Sequence, residues 1–298
     1  MRERHSSTTV VWSRLRVRTG SPERFATTTI SESRYISSLT TQWIHIFGAF
    51  RHTRGVRIVQ INGICGAMSD IDSMRRRISP VDPDLIVVTG VSSSQGANTD
   101  YGAIARTVAG LAPDVLWLPG RYDDRTSFEN AFGRRYRLNS TGDRLDRTAT
   151  IGGFTMVLLD NAEGAMSDDQ QLWLRSLLFD LRGAIVKGAS VGRVLIWSYA
   201  PIIREDRSDG STEPEVEMLA HFSRGVSITV LCANPKTEQT RVSGHIIQYE
   251  CPPLSRTSDR YNVSNDQTVR TGFRIVSIES NGEIDTAVVY STDDMKDG

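Results

Sequence analysis

The chain has 298 residues, 39% of them hydrophobic, which is enough for one large globular unit. Its 35 basic and 35 acidic residues cancel, which excludes the global positive field that drives nucleic-acid binding and leaves only local patches or contacts inside a ribonucleoprotein. No apolar run reaches the roughly 18 residues that span a bilayer. The three cysteines, Cys65, Cys232 and Cys251, form neither a CxxC pair nor a zinc-finger spacing, and read as reduced thiols.

Residues 1–55 differ in texture from the rest. They hold nine Arg, no Lys, only Glu3, Glu23 and Glu32 as acids, and seventeen Ser or Thr. Arg-rich, Ser-rich and acid-poor is the composition of a mitochondrial transit peptide, and equally of an extension with no address function. Val11, Trp12 and Leu15 interleave with Arg14, Arg16 and Arg18, a short amphipathic pattern. The expected globular domain is 56–298. The expected location is mitochondrial, otherwise cytoplasmic.

From Val56 onward, short β-branched runs alternate with helical periodicity. Val56–Asn62, Leu85–Thr89 and Val115–Leu118 read as buried strands, with helices over Ala67–Ile78 and Asp100–Leu111 between them. The stretch 124–150 reads as loop. Phe154–Leu159, Val194–Trp197 and Ile228–Leu231 read as further strands. They alternate with helices over Asp168–Leu181, capped by Ser167, and Glu215–Phe222, opened by Pro214. This alternation implies parallel sheet with crossover connections. Val242–Tyr249, Gly272–Ser277 and Thr286–Tyr290 read as antiparallel strands closing a second sheet.

Ligands of open α/β sheets bind beyond the carboxyl ends of the strands. Those ends are Asn62–Cys65, Gly90–Ser92, Gly120–Asp123, Ser198–Pro201 and Ala233–Lys236. The segments PDLIVVTG (83–90), VLWLPG (115–120), LLDNAEGAMSDDQQLWLRSLL (158–178) and VLCANPK (230–236) resemble, in order and spacing, the calcineurin-like metallophosphoesterases. The likeness is strongest to the cyclic-nucleotide phosphodiesterase branch and covers roughly 56–292. It implies a four-layer α/β/β/α sandwich, two packed mixed sheets flanked by helices. It also implies two divalent metals such as Fe, Mn or Zn, held by D-x-H, G-D, G-N-H-D, a His-containing turn before Pro, and G-H-x-H.

Set on those motifs, this sequence lacks most of the ligands. Gly63 and Cys65 stand for the Asp and His of D-x-H, and Val91 for the bridging Asp of G-D. Arg121 and Tyr122 stand for the Asn and His of G-N-H-D, with Asp123 retained. The fourth-motif His falls on Ser198 or Tyr199, and Asn234 and Lys236 stand for the two His of G-H-x-H. Glycine and valine side chains offer a metal nothing, and cations repel it. An ion pair of Asp123 with Arg121 or Lys236 is expected to balance the site. Gly244–His245 also resembles half of G-H-x-H, but the spacing favours 233–236. Cys65 lacks a nearby His to act as its base, and reads as filler.

Three readings of function follow. The first is a catalytically inactive phosphoesterase-like scaffold with no catalytic residue and no cofactor, held by protein partners in a larger complex. The second is a phosphate- or nucleotide-binding module using Arg121 and Lys236. The third is a phosphodiesterase with a non-standard metal site drawn from Asp70, Asp123, Asp124 or His245.

Overall fold

In the first long strand, Val56–Asn62 (β2), residues of opposite parity enter two different layers. Val59 and Ile61 face one hydrophobic cluster, while Ile58 faces another. Both faces of this strand are therefore covered, as its near-continuous apolar run requires. The computed structural model describes the strand Val10–Ser13 (β1) and residues 55–64, 74–91, 100–132, 144–187, 192–204, 213–234, 238–254 and 270–290.

The remaining strands are Leu85–Thr89 (β3), Asp114–Leu118 (β4), Arg147–Ile151 (β5), Phe154–Leu159 (β6), Arg193–Ser198 (β7) and Ser227–Ala233 (β8). Gln239–Ser243 (β9), Ile246–Cys251 (β10), Gly272–Ile278 (β11) and Ile284–Tyr290 (β12) complete them. They form two six-stranded mixed sheets, ordered β1-β12-β11-β2-β3-β4 and β5-β6-β7-β8-β10-β9. The helices are Tyr101–Val108 (α1), Arg125–Phe132 (α2), Asp168–Val186 (α3) and Pro214–Ser223 (α4). No helix among the described residues is long and apolar enough to cross a membrane.

Three apolar layers separate the four structural ones. Ile58, Val87, Leu116 and Leu118 of the first sheet meet Met156, Leu158, Leu195, Trp197 and Leu231 of the second. Tyr101, Ile104, Val108, Phe128 and Phe132 of α1 and α2 cover the outer face of the first sheet. Leu174 and Leu178 of α3, with Val216, Leu219 and Phe222 of α4, cover the second. The two-sheet α/β sandwich with flanking helices stands as the sequence implies.

Several details differ from the sequence reading. The stretch 124–150 contains α2 and β5 rather than loop alone. Val242–Tyr249 is not one strand: it breaks at Gly244, whose φ of 58° makes a turn between β9 and β10. β10 runs parallel to β8, while β11 and β12 join the first sheet, β11 antiparallel to β2 and β12 antiparallel to β11. Residues 74–78 are helical, and 65–73 of the expected helix lie outside the described residues. α3 extends to Val186, beyond the expected end at Leu181. Its start has the expected cap: Ser167 accepts from the Gln170 amide while Gln170 Oε1 accepts from the Ser167 amide.

Candidate functional site

The carboxyl ends of β2, β3, β4, β7 and β8 meet at one rim of the sandwich. Backbone bonds tie them together: Gly63 N donates to Thr89 O at 3.0 Å, and Gly90 N to Leu118 O at 2.8 Å. Gly63 takes φ 67° and Gly90 φ 80°, left-handed values that a β-branched residue would resist.

Asp123 is the acceptor at the centre of the first-sheet half of this rim. Its Oδ2 accepts from Val91 N at 2.9 Å and Gly120 N at 2.7 Å, and its Oδ1 from Tyr101 Oη at 3.0 Å. This replaces the expected ion pair with Arg121. Arg121 is exposed, whereas the buried carboxylate has backbone donors already fixed by the strand ends. Lys236, the other expected partner, lies outside the described residues.

Below Asp123, Arg125 clamps the loop to α2. Its Nε and Nη2 reach both oxygens of the fully buried Asp160 at 2.8 Å, and its Nη1 donates to Gly120 O and Asp123 O. A bidentate pair of this kind fixes geometry as well as charge. Sequence reading missed both residues. Asp160 was legible only as the aspartate of the LLDNAEG stretch.

Tyr199 occupies the middle of the rim. Asn161 Oδ1 accepts from Tyr199 N and Ala200 N, each at 3.0 Å, and Ala233 N donates to Tyr199 O at 3.2 Å. The backbone so held lays the ring against two glycines. A Cβ on Gly90 would sit 2.8 Å from Tyr199 Cε2, and one on Gly120 would sit 2.9 Å from the same atom. The latter would also lie 2.8 Å from Gly90 Cα. The part-exposed aromatic ring thus lies against the backbone of both strand ends.

The second-sheet half is a side-chain network around Glu250, which is fully buried. Arg241 Nε donates to Glu250 Oε1 at 2.6 Å, Gln248 Nε2 donates to it at 2.9 Å, and Asn234 Nδ2 donates to Oε2. Gln248 Oε1 accepts from the amides of Ile202 and Ile203, at 2.9 and 2.8 Å, which pins the turn after Tyr199. Asn62 Nδ2 bridges to Asn234 O and Cys251 O, at 3.0 and 3.1 Å. Burial pushes the Cys251 thiol up to about 12 and the Cys232 thiol well above its ordinary value, so neither is an activated nucleophile.

Gly63, Val91, Asp123, Ser198, Tyr199 and Asn234 lie at this rim, with Arg121 and Tyr122 exposed on the turn beside it. Ser198 Oγ donates to Ala200 O at 2.9 Å and serves the turn. Cys65, Asp70 and Lys236 lie outside the described residues. Asp124 is exposed and accepts from Ser127 N at 2.8 Å, and its bonds to Ser127 hold its carboxyl below the usual carboxylate range. It starts a helix rather than lining a site. His245 is exposed in the β9–β10 turn, at the opening end of β10, away from the strand carboxyl ends.

No family model matches this chain. It is 29% identical over 112 residues to the 3′,5′-cyclic adenosine monophosphate phosphodiesterase CpdA of Pseudomonas aeruginosa, across 35% of this chain and 39% of that protein. It is 29% identical over 105 residues to a probable cyclic nucleotide phosphodiesterase of Rhodococcus erythropolis, across 32% of this chain and 34% of that protein. With the two-sheet sandwich already described, these matches agree with the resemblance read from the sequence. The chain is calcineurin-metallophosphoesterase-like in sequence and fold.

The matches span under two fifths of either curated relative. Among solved structures, a dimetal phosphatase from Danio rerio has a TM-score of 0.48 and 13% identity, over 79% of this chain and 99% of that one. GAP50, the anchor in the inner membrane complex of Plasmodium, has a TM-score of 0.49 and 13% identity, over 82% and 86%.

Metallophosphoesterases of this kind imply two bridged metals, and the described residues do not fit them. Gly63 and Val91 bring no donor atom. Asp123 already accepts from three N–H and O–H groups. The Tyr199 ring lies against the glycines of two strand ends. Among the described residues no three His, Cys, Asp or Glu side chains group as metal ligands. Asn62 Oδ1 is buried without a hydrogen-bond partner. One neutral amide oxygen does not make a dication site.

Proposed function

We propose that this chain is a metallophosphoesterase-like protein without phosphoesterase chemistry, serving as a structural subunit of a larger protein assembly. The observation that carries the reading is the Tyr199 ring packed against Gly90 and Gly120. Two-metal catalysis needs an open space between carboxylate and imidazole ligands, where both the attacking and the leaving oxygen are clamped. A ring lying against Gly90 and Gly120, on a backbone fixed on both sides, supports the reading that this space is not kept open. Val91 and Asp123 support the reading, since the carboxylate serves backbone donors at the place where a bridging ligand would be needed.

The test is elemental analysis of the purified protein, alongside hydrolysis of an aryl phosphodiester and of cyclic AMP with added manganese. Cyclic AMP is included because one curated relative is named for it. Trace metal and no turnover is the expected result. Near-stoichiometric iron, manganese or zinc with metal-dependent turnover overturns it and restores the reading of an active phosphodiesterase.

The Arg-rich, acid-poor residues 1–55 support a mitochondrial site for the assembly. Protease-protected uptake of the full-length chain by isolated mitochondria checks this, and no uptake assigns it to the cytoplasm.

The exposure of Arg121 at the rim favours a second reading, an anion-binding surface completed by Lys236. Thermal stabilisation by phosphate that disappears in Arg121→Ala and Lys236→Ala supports it, and no shift with phosphate sinks it.

A further inference from the structure

The chain contains two Asn-Gly pairs, Asn62–Gly63 and Asn281–Gly282, and the fold treats them in opposite ways. An asparagine followed by glycine carries its own reaction, because attack of the glycine amide nitrogen on the asparagine Cγ closes a five-membered ring and no Cβ stands in the way. The reaction needs a side-chain amide free to turn, a backbone nitrogen able to lose its proton, and access for water.

Asn62 meets none of these needs. It is 1% exposed, its Nδ2 is held by Asn234 O and Cys251 O, and Gly63 N donates to Thr89 O inside the strand-end rim.

Asn281 is exposed at the tip of the β11–β12 hairpin. Its Oδ1 accepts from Glu283 N at 2.8 Å, while its Nδ2, the leaving group, makes no hydrogen bond among the described residues. Gly282 takes φ 80°, and its amide donates to Glu279 O at 2.8 Å. That is a single turn bond at the hairpin tip, where local opening costs least.

The second sheet then supplies a cation. Arg193, at the start of β7, donates from Nη2 to Asn281 O at 2.7 Å, and its guanidinium lies where a Cβ on Gly282 would have to go. The Phe154 ring, with its centroid 5.6 Å from Arg193 Cζ, helps to hold it there. Asn281 O belongs to the same peptide group as Gly282 N. Electron density drawn onto that oxygen is withdrawn from that nitrogen, so the arginine makes the N–H easier to deprotonate. The same contact polarises the carbonyl carbon that water attacks later.

We propose that Asn281–Gly282 is a site of spontaneous deamidation promoted by Arg193, with isoaspartate as the favoured product. Gly282 N gives its proton to solvent hydroxide and attacks Asn281 Cγ. The side-chain nitrogen leaves as ammonia, and a succinimide ring closes. Water then opens the ring at the former Asn281 main-chain carbonyl, breaking its bond to Gly282 N. That carbonyl becomes a free carboxylate, and the main chain runs on through Cβ and Cγ. Water enters and ammonia leaves, with nothing oxidised or reduced. The new carboxylate forms on the carbon whose oxygen Arg193 already holds, so a bond to a neutral acceptor becomes a bond between opposite charges. The hairpin tip and the start of β7 lie at the end of the sandwich opposite the rim, so the inference does not depend on the state of that site.

The experiment ages the full-length protein in mildly alkaline buffer and follows it by peptide mapping, with isoaspartate read by enzymatic methyl transfer to the new carboxylate. The mass gain of amide-to-acid conversion is expected at Asn281 and not at Asn62, with isoaspartate in excess over aspartate. Arg193→Gln is expected to slow the conversion about tenfold or more and to lower the isoaspartate share. If Arg193 only tied down the turn, its loss would speed the reaction instead. The parent chain unfolded in urea is a reference that needs no variant. There the two Asn-Gly pairs should react alike, with a lower isoaspartate share at Asn281 than in the folded protein. No conversion at Asn281, equal conversion at Asn62 in the folded protein, an unchanged or faster rate in Arg193→Gln, or the same isoaspartate share in folded and unfolded chains overturns the proposal.

Discussion

Two buried carboxylates sit at the same rim and are satisfied in opposite ways. Asp123 is held mainly by the main chain, through amides that the ends of β3 and β4 supply. Glu250 is held by side chains, through Arg241, Gln248 and Asn234. A backbone cradle exists only if the strand ends are in register, so Asp123 reports on the fold around it. A side-chain cage can be rebuilt by substitution, so Glu250 reports on charge balance. The first-sheet half of the rim is therefore fixed by topology and the second by composition.

The largest effect that can break this contrast is at Arg241. Arg241→Ala leaves Glu250 fully buried without its cation, with an expected loss of about 3–5 kcal/mol in urea unfolding. Adding Glu250→Gln in the same chain should recover most of it. No recovery would mean that the cage does more than neutralise a charge.

Asp123→Ala comes next, at about 2–3 kcal/mol, because two amides and the Tyr101 hydroxyl lose their acceptor together. Asp123→Asn keeps one oxygen for the amides and should cost roughly half as much. Equal losses in the two variants would show that charge, not acceptor geometry, holds that half.

Gly120→Ala should cost about 1–3 kcal/mol through overpacking against Tyr199 and Gly90. Tyr199→Ala in the same chain should relieve part of that cost, and strict additivity would remove the ring from the account.

The last effect is confined to alkaline pH. Burial raises the folded Cys251 thiol to about 12, against an ordinary value of 9.0. The unfolded thiol thus ionises first, and the stability present below about pH 9 is lost as pH rises toward 12. The urea midpoint of Cys251→Ala should decline less between about pH 8 and pH 11 than that of the parent.

Short β-branched apolar runs and period-3.6 patterning made most strands and helices legible, because each of those segments buries one face or both. α2 escaped because its apolar face is only Phe128 and Phe132, set among polar residues. β5 escaped because it is RTATI, with two of its five positions exposed. Extended runs bounded by turn signals marked β11 and β12 as strands, but such runs carry no information on which neighbour a strand will choose.

At the rim, Gly63, Val91, Tyr199 and Asn234 lie just past strand ends and Asp123 in the turn after β4, where the order of the sequence put them. It could not show that Asp123 would turn to amides, because backbone donors leave no trace in side-chain chemistry. The Glu250 cage did leave a trace. Gln248 and Glu250 interrupt an otherwise apolar strand at the same parity, and they match the polar Gln60 and Asn62 of β2.

One feature at the far edge of the first sheet bears on the proposed transit peptide. Val10–Ser13 pairs antiparallel with Thr286–Val289 of β12, so a piece of the Arg-rich segment is the outermost strand of the sandwich. A presequence peptidase cutting downstream of Ser13 would strip that strand and leave β12 as a bare outer strand, a template for unwanted pairing. Maturation that spares the sheet has to cut upstream of Val10. Intact-mass measurement of the native protein thus reads out whether the proposed leader is discarded packaging or a building part.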